Sequence, residues 1–319
     1  MSPNKNSSGC SKCEKKGIIV LQHGILCQNH FLSYFEEKVF KTINKYNLLN
    51  RNDKICVAAS GGKDSLAVLY LIKKYLEENK IPTDNLFALV VDEGIDNYRK
   101  HTLADLKDFC GKYDVPLKIV TNKKEFGYTL DEAYPIINKE TNKKPCNICG
   151  VWRRHLLNKH ARESGATKVV TGHNLDDEAQ VILMNIFKAN IKLSANLGPA
   201  SGVEKHGLLV QRVKPLYFCT EKETRLYAVL KKFKVDFAEC PYAADGFRAN
   251  IRDMLNDFEN KYKGTKQSII NSFLAALPLL KERALEKTYT PLSVCAKCNE
   301  PANKEICNAC GLKEQLKNA

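Results

Sequence analysis

The segment KICVAASGGKDSLAVLYLIKKYLEEN, residues 54–79, decides the fold. KICVAAS (54–60) is a short apolar run, a glycine pair follows, and from Asp64 onward the apolar positions recur every three or four residues. That pattern predicts a buried strand, a tight turn and an amphipathic helix. Gly61 and Gly62 let the backbone turn sharply and approach a ligand closely. Ser60, Ser65 and the free N–H groups of the first helical turn then face an anion at the positive helix end. Asp64 would repel a bare phosphate unless it holds a cation, which points to magnesium. The loop is neither a Walker A sequence nor a dinucleotide G-x-G-x-x-G fingerprint.

The same alternation continues downstream. LFALVVD (86–92), a helix over 97–112, PLKIVT (116–121), a helix after CGVWRRHL, KVVTG (168–172) and a helix over 175–188 follow in turn. Strands alternating with helices predict an α/β fold, a doubly wound, mostly parallel sheet covered on both faces. Residues 189–206 read as a loop leading to a short strand in LLVQRVKPL. A Lys-rich helix over 221–234, the turn ECPYAADG, and helices over about 247–263 and 265–287 complete the main domain. Segments 1–9 and 312–319 read as frayed ends. The expected organisation is an N-terminal module (1–35), a main domain (36–290) and a C-terminal module (291–319).

Composition narrows the class. The 319 residues are 44% hydrophobic and 27% charged, ordinary for a soluble globular chain and unlike a disordered one. No run approaches the roughly 18–20 apolar residues of a membrane span, and the Asn/Ser/Lys-rich start lacks a signal peptide's apolar core, so a cytoplasmic location is expected. The formal net charge of +14 makes a polyanion, most simply nucleic acid, the expected partner.

Thirteen cysteines in a reducing compartment point to metal binding or catalysis rather than disulfides. Cys10, Cys13, Cys27 and His30 form two ligand pairs joined by thirteen residues, enough for a hairpin; His23 inside it is a weaker ligand candidate. Cys295, Cys298, Cys307 and Cys310 repeat the pattern as CxxC, eight residues, CxxC. Four ligands with no open position indicate structural zinc at each end. Of the rest, Cys56 and Cys110 fall in a strand and a helix as small buried hydrophobes, and Cys219 is ambiguous. Cys146 and Cys149 have metal-pair spacing but no nearby partners. Cys240, in the turn ECPY, can supply a third thiolate. Three thiolates suit either a 4Fe-4S cluster with one open iron or a catalytic zinc with one open position; a thioredoxin-like disulfide is the rival.

SGGKDS in this setting resembles the pyrophosphate loop of the N-type ATP pyrophosphatase, or PP-loop, superfamily. TGHNLDDEAQ (171–180) strengthens the likeness. The order SGGKDS, PCNICGVWRR, GHNLDDEAQ and ECPY, between two zinc modules, resembles the tRNA 2-thiolation enzymes of the TtuA, NcsA and TtcA type, with the modules favouring the first two. The resemblance implies nucleotide contacts at Ala58, Ser60, Gly61, Gly62, Lys63, Asp64, Ser65, Val91, Asp92 and Gly172. It also implies a 4Fe-4S cluster on Cys146, Cys149 and Cys240, and catalytic roles for Asp64, Arg153 and either Asp176 or Asp177.

The implied cofactors are ATP, Mg2+, the cluster and two Zn2+. The implied partners are tRNA, a sulfur donor (carrier protein, persulfide or free sulfide) and a second copy of the chain. The two zinc sites and the cluster would lower the charge to about +10, still cationic. The implied reaction adenylates the C2 oxygen of a tRNA uridine and then transfers cluster-borne sulfur, with the anticodon wobble position taken ahead of the T-loop. Two rivals stand beside it: a PP-loop amidating or lysidine-forming enzyme, and a non-catalytic zinc-dependent RNA-binding protein.

Overall fold

The computed structural model describes residues 9–202, 207–235, 240–242, 246–286 and 293–318. The chain opens with a hairpin of β1 (Ile19–Leu21) and β2 (Gly24–Leu26), then α1 (Gln28–Lys45). The predicted strand-turn-helix follows as β3 (Ile55–Ala58) and α2 (Lys63–Glu78). Next come β4 (Leu86–Asp92), α3 (Arg99–Lys112), β5 (Leu117–Thr121), α4 (Asn122–Phe126), α5 (Leu130–Thr141), α6 (Pro145–Glu163), β6 (Lys168–Thr171) and α7 (Leu175–Phe187). After a short α8 (Ile191–Ser194) come β7 (Gln211–Val213), α9 (Glu221–Leu230), α10 (Phe247–Lys261) and α11 (Thr265–Glu286). The chain closes with β8 (Ser293–Val294), β9 (Pro301–Ala302) and α12 (Asn308–Asn318).

The central sheet has five strands in the order β5-β4-β3-β6-β7, every pairing parallel. Strand alternation sends Ile55 and Val57 to one face, with α1, α2, α3 and α9, and Cys56 to the other, with α5, α6 and α12. The doubly wound reading therefore holds. Chain order reverses between β3 and β6, and open α/β sheets bind ligands at the carboxyl ends of the strands at such a switch point. SGGKDS leaves β3 and GHNLDD leaves β6 on either side of that crevice.

Three local expectations need correcting. The segment 312–319 is no frayed end: α12 covers 308–318 and buries Leu312 and Leu316. The helix expected after CGVWRRHL begins at Pro145, a proline suited to the first helical turn, so Cys146 and Cys149 lie inside α6. The segment taken as loop over 189–206 contains α8. Both ends of α4 and α5 carry recognisable signals that the apolar pattern alone missed, including a capping box from Thr129 and Glu132. No helix among the described residues is long and apolar enough to cross a membrane.

Candidate functional site

The turn after β3 is built as its glycines require. Gly61 has φ +86, and a Cβ there would lie 2.5 Å from the Thr102 carbonyl oxygen. Ser65 Oγ donates to the Gly62 carbonyl (2.9 Å) and accepts from the Ser60 amide (3.1 Å), closing the loop over the N-terminus of α2. Lys63 Nζ pairs with Asp64 (2.8 Å) and Glu221 (3.1 Å). Ala58 ends the strand behind the loop.

The second loop presses against the first. A Cβ on Gly172 would meet Asp64 C at 2.8 Å and O at 2.9 Å, so only glycine lets β6 deliver its loop here. Asn174 caps α7 by accepting from the Asp177 amide (3.1 Å), and its Nδ2 donates to Asp64 Oδ1 (3.1 Å). The two acids that sequence left equivalent now differ. Asp176 is buried, bound by Lys266 Nζ and by the Glu221 amide (2.8 Å). Asp177 instead meets Arg248 (2.7 Å). Burial, and after it the charge of Asp177, raises the Asp64 carboxyl above its usual range against the pull of Lys63. Two carboxylates that oppose one another in this way are a fit for a divalent cation.

A buried strut just beyond β4 was not foreseen. Glu93 accepts from Arg99 Nε (2.5 Å), and Arg99 also donates to the carbonyls of Ser60 (2.7 Å) and Val91 (2.8 Å). Arg153 Nη1 lies 3.9 Å from the other Glu93 oxygen. The sequence signal was DEGIDNYR, an acid and an arginine directly beyond a strand's carboxyl end. Beside Asp92, one of the implied nucleotide contacts, opens a cavity of ≈ 720 Å³, lined also by Ile95, Arg99, Leu103 and Thr129. His173 was also missed: desolvation, then Lys214, Arg248, Arg153 and Arg212, hold it neutral well below its usual range.

Cys146, Cys149 and Cys240 come together here from helix and loop. Cys146 Sγ donates to the Tyr242 carbonyl (3.3 Å), and Tyr242 Oη anchors that loop to Asp131 (2.7 Å). Burial, then Glu93 and the two neighbouring thiols, push Cys149 up to about 11. Cys240 is raised by burial and by Cys146. Thiols that suppress one another's ionisation need a strongly cationic centre to hold them as thiolates. No disulfide joins any of them. Among the described residues, ligand atoms converge to within single-ion distance (4.8 Å of one another) only in the two terminal sets. The wider central trio therefore fits a polynuclear iron cluster, which spaces one thiolate per iron, better than a zinc ion.

The terminal sets do fit zinc. Cys13 and Cys27 Sγ are 3.7 Å apart, as are Cys298 and Cys307; sulfurs on one tetrahedral zinc at ~2.3 Å lie about 3.8 Å apart. His30 Nδ1 lies 3.3 Å from Cys10 and 3.4 Å from Cys27. Against desolvation, backbone N–H donors lower Cys10 and Cys295 each to about 6, ready to bind as thiolates. His23 lies tilted against Tyr34, with ring centroids 4.8 Å apart, and is outside the set. Of the single cysteines, Cys56, Cys110 and Cys219 are all buried.

A glycine turn and helix N-terminus facing an acidic loop across the switch point define a PP-loop nucleotide-binding protein, and residues 32–257 match the PP-loop domain family. Within that class the chain belongs to the tRNA 2-thiolation sulfurtransferase family. It is 34% identical over 312 residues to the tRNA-5-methyluridine(54) 2-sulfurtransferase of Pyrococcus horikoshii, covering 96% of this chain and 95% of that one. It is 33% identical to the cytoplasmic tRNA 2-thiolation protein 1 of Laccaria bicolor, over 96% of this chain and 85% of that one. The solved U34-tRNA thiolase NcsA from Methanococcus maripaludis, with its 4Fe-4S cluster, superposes with TM-score 0.79 at 33% identity, covering 98% and 97% of the two chains.

Proposed function

We propose that this chain is a cytoplasmic, ATP-dependent tRNA-uridine 2-sulfurtransferase, working as a homodimer on the anticodon wobble uridine. The carrying observation is the juxtaposition of three free thiols with the nucleotide loop through one buried acid: Glu93 opposes the ionisation of Cys149 and Cys240, and through Arg99 it is tied to Ser60.

The residues divide the work as follows. The N–H groups of 61–65 and the Ser60 and Ser65 hydroxyls hold the pyrophosphate of ATP. Asp64 and Asp177 would hold Mg2+, while Asp176 anchors α7 to α11. The uridine C2 oxygen attacks the α-phosphorus, the bond to pyrophosphate breaks, and the C2–O bond is thereby linked to a good leaving group. A sulfur nucleophile then adds at C2 and AMP departs, with no net redox change. Arg153, held by Glu93, faces the charge that develops on the adenylate. Cys146, Cys149 and Cys240 would hold the 4Fe-4S cluster, which would supply a Lewis-acidic seat for inorganic sulfur.

The test is tRNA-dependent release of AMP and pyrophosphate by anaerobically reconstituted protein, with the thionucleoside mapped by fragment mass spectrometry. Thiolation lost in Cys240→Ala while ATP binding persists is expected. tRNA-dependent AMP release that survives removal of any of the three cysteines and yields no thionucleoside would instead favour the amidating class. The 34% identical relative acts on methyluridine 54, so a thionucleoside in the T-loop fragment would move the target and leave the chemistry standing.

A further inference from the structure

A second cavity, ≈ 500 Å³, lies between α6, the approach to β7 and the C-terminal module, away from the nucleotide loops. Arg154, His155, Arg212 and Lys304 share its lining. Its acid, Glu300, is already committed, with both oxygens on Arg162 and one also near Asn158. Neither Arg154 nor Arg212 has a carboxylate partner among the described residues. Desolvation lowers both below their ordinary values, followed by the charge of Arg153 on Arg154 and the charge of Arg154 on Arg212. Surface arginines are normally solvated apart, whereas these two are crowded together and left without a counter-charge.

We infer that this cavity binds consecutive backbone phosphates of the substrate tRNA, next to the uridine being modified; the inference rests on the tRNA reading above. Two guanidinium forks with a rim lysine suit a chain of phosphates, whereas a single carboxylate, such as the C-terminus of a sulfur-carrier protein, satisfies only one fork. Position supports the choice. Arg153, the preceding residue on α6, faces Glu93 at the three-cysteine group, and Arg212 is close enough to act on His173 beyond β6. An RNA strand held by Arg154 and Arg212 thus delivers its next nucleotide to the reaction centre, with the C-terminal module as the far wall of the channel.

The test measures binding of an unmodified tRNA transcript to metal-loaded protein by fluorescence anisotropy across a KCl series. Arg154→Gln/Arg212→Gln is expected to weaken binding about tenfold or more and to flatten the log–log salt slope by about 1.5–2. ATP affinity should stay unchanged, which also reports that the variant is folded. Arg154→Lys/Arg212→Lys should recover most of the salt slope, because counterion release follows charge. Unchanged tRNA affinity and slope in the Gln variant overturns the inference. So does a variant that binds tRNA normally but no longer accepts sulfur from a carrier protein, which would assign the cavity to that protein. If the unaltered protein fails to bind tRNA, the functional reading itself falls, and this inference with it.

Discussion

Replacing Arg99 by Ala tests the strut that ties the nucleotide loop to β4. Arg99 is 6% exposed and Glu93 3%, and the guanidinium makes three hydrogen bonds, to Glu93, Ser60 and Val91. Removing one member of a buried ion pair leaves the other charge uncompensated, a loss of about 3–5 kcal/mol. For a chain of this size that lowers Tm by on the order of 10 °C. Because Arg99 also fixes Ser60, the affinity for pyrophosphate should fall as well. Glu93→Leu paired with Arg99→Met should recover much of the stability but not the ligand affinity, since the charges leave together while the tether to Ser60 stays lost. Thermal unfolding and calorimetric pyrophosphate titration of the metal-loaded variants read both effects. An Arg99→Ala variant that loses less than about 1 kcal/mol and binds pyrophosphate normally would refute the reasoning, because a buried, triply bonded cation cannot be removed at that cost.

Further outcomes follow from the same geometry. Gly172→Ala drives a methyl into the Asp64 backbone and should destabilise by about 1–3 kcal/mol while weakening ATP binding, both measurable by thermal shift with and without nucleotide. Asp64 has a raised folded-state pKa, so its penalty is absent below the ordinary carboxylate range and complete above the folded value; stability of the nucleotide-free protein should therefore fall as pH rises through that window. Asp64→Asn should raise Tm at neutral pH, lose that advantage in acid, and slow AMP formation at least ~100-fold. Cys10→Ser should release one zinc per chain in a chromogenic chelator assay and lower the stability of the main domain too, because α1, which carries His30, buries Phe31, Phe35, Val39 and Ile43 in its core.

The parts legible in the sequence were those written in local patterns. The alternation of apolar strands and periodic helices located β3, β4, β5 and β6 with α2, α3 and α7, and cysteine spacing located both terminal sets. What stayed hidden depends on long-range packing. Asp177 carries the local signature of a capping-box acid at N3 from Asn174, but the partners that separate the two acids are distant in sequence: Lys266 and the start of α9 close over Asp176, and Arg248 meets Asp177. Glu93 and Arg99 carry a local signal, an acid and an arginine beyond a strand end, but their pairing shows only once the sheet carries Ser60 alongside them. Helix α12 reads as a polar tail because only Leu312 and Leu316 on it are apolar and large, and their partners lie on α5 and α6.

The protein contains one tryptophan, and it stands at an informative place. Trp152 lies three residues beyond Cys149, is fully buried, stacks on Phe126 at 4.4 Å, and donates its indole N–H to the Ala309 carbonyl at 3.4 Å. Ala309 sits between two ligands of the C-terminal metal set. The emission of this single indole is thus an internal gauge of whether that set is assembled and seated on α6. Stripping the metal should shift the fluorescence to longer wavelength before the sheet unfolds. Loading a strongly absorbing iron cluster a turn away on the same helix should quench it, so one optical trace can follow the filling of two different metal centres in order.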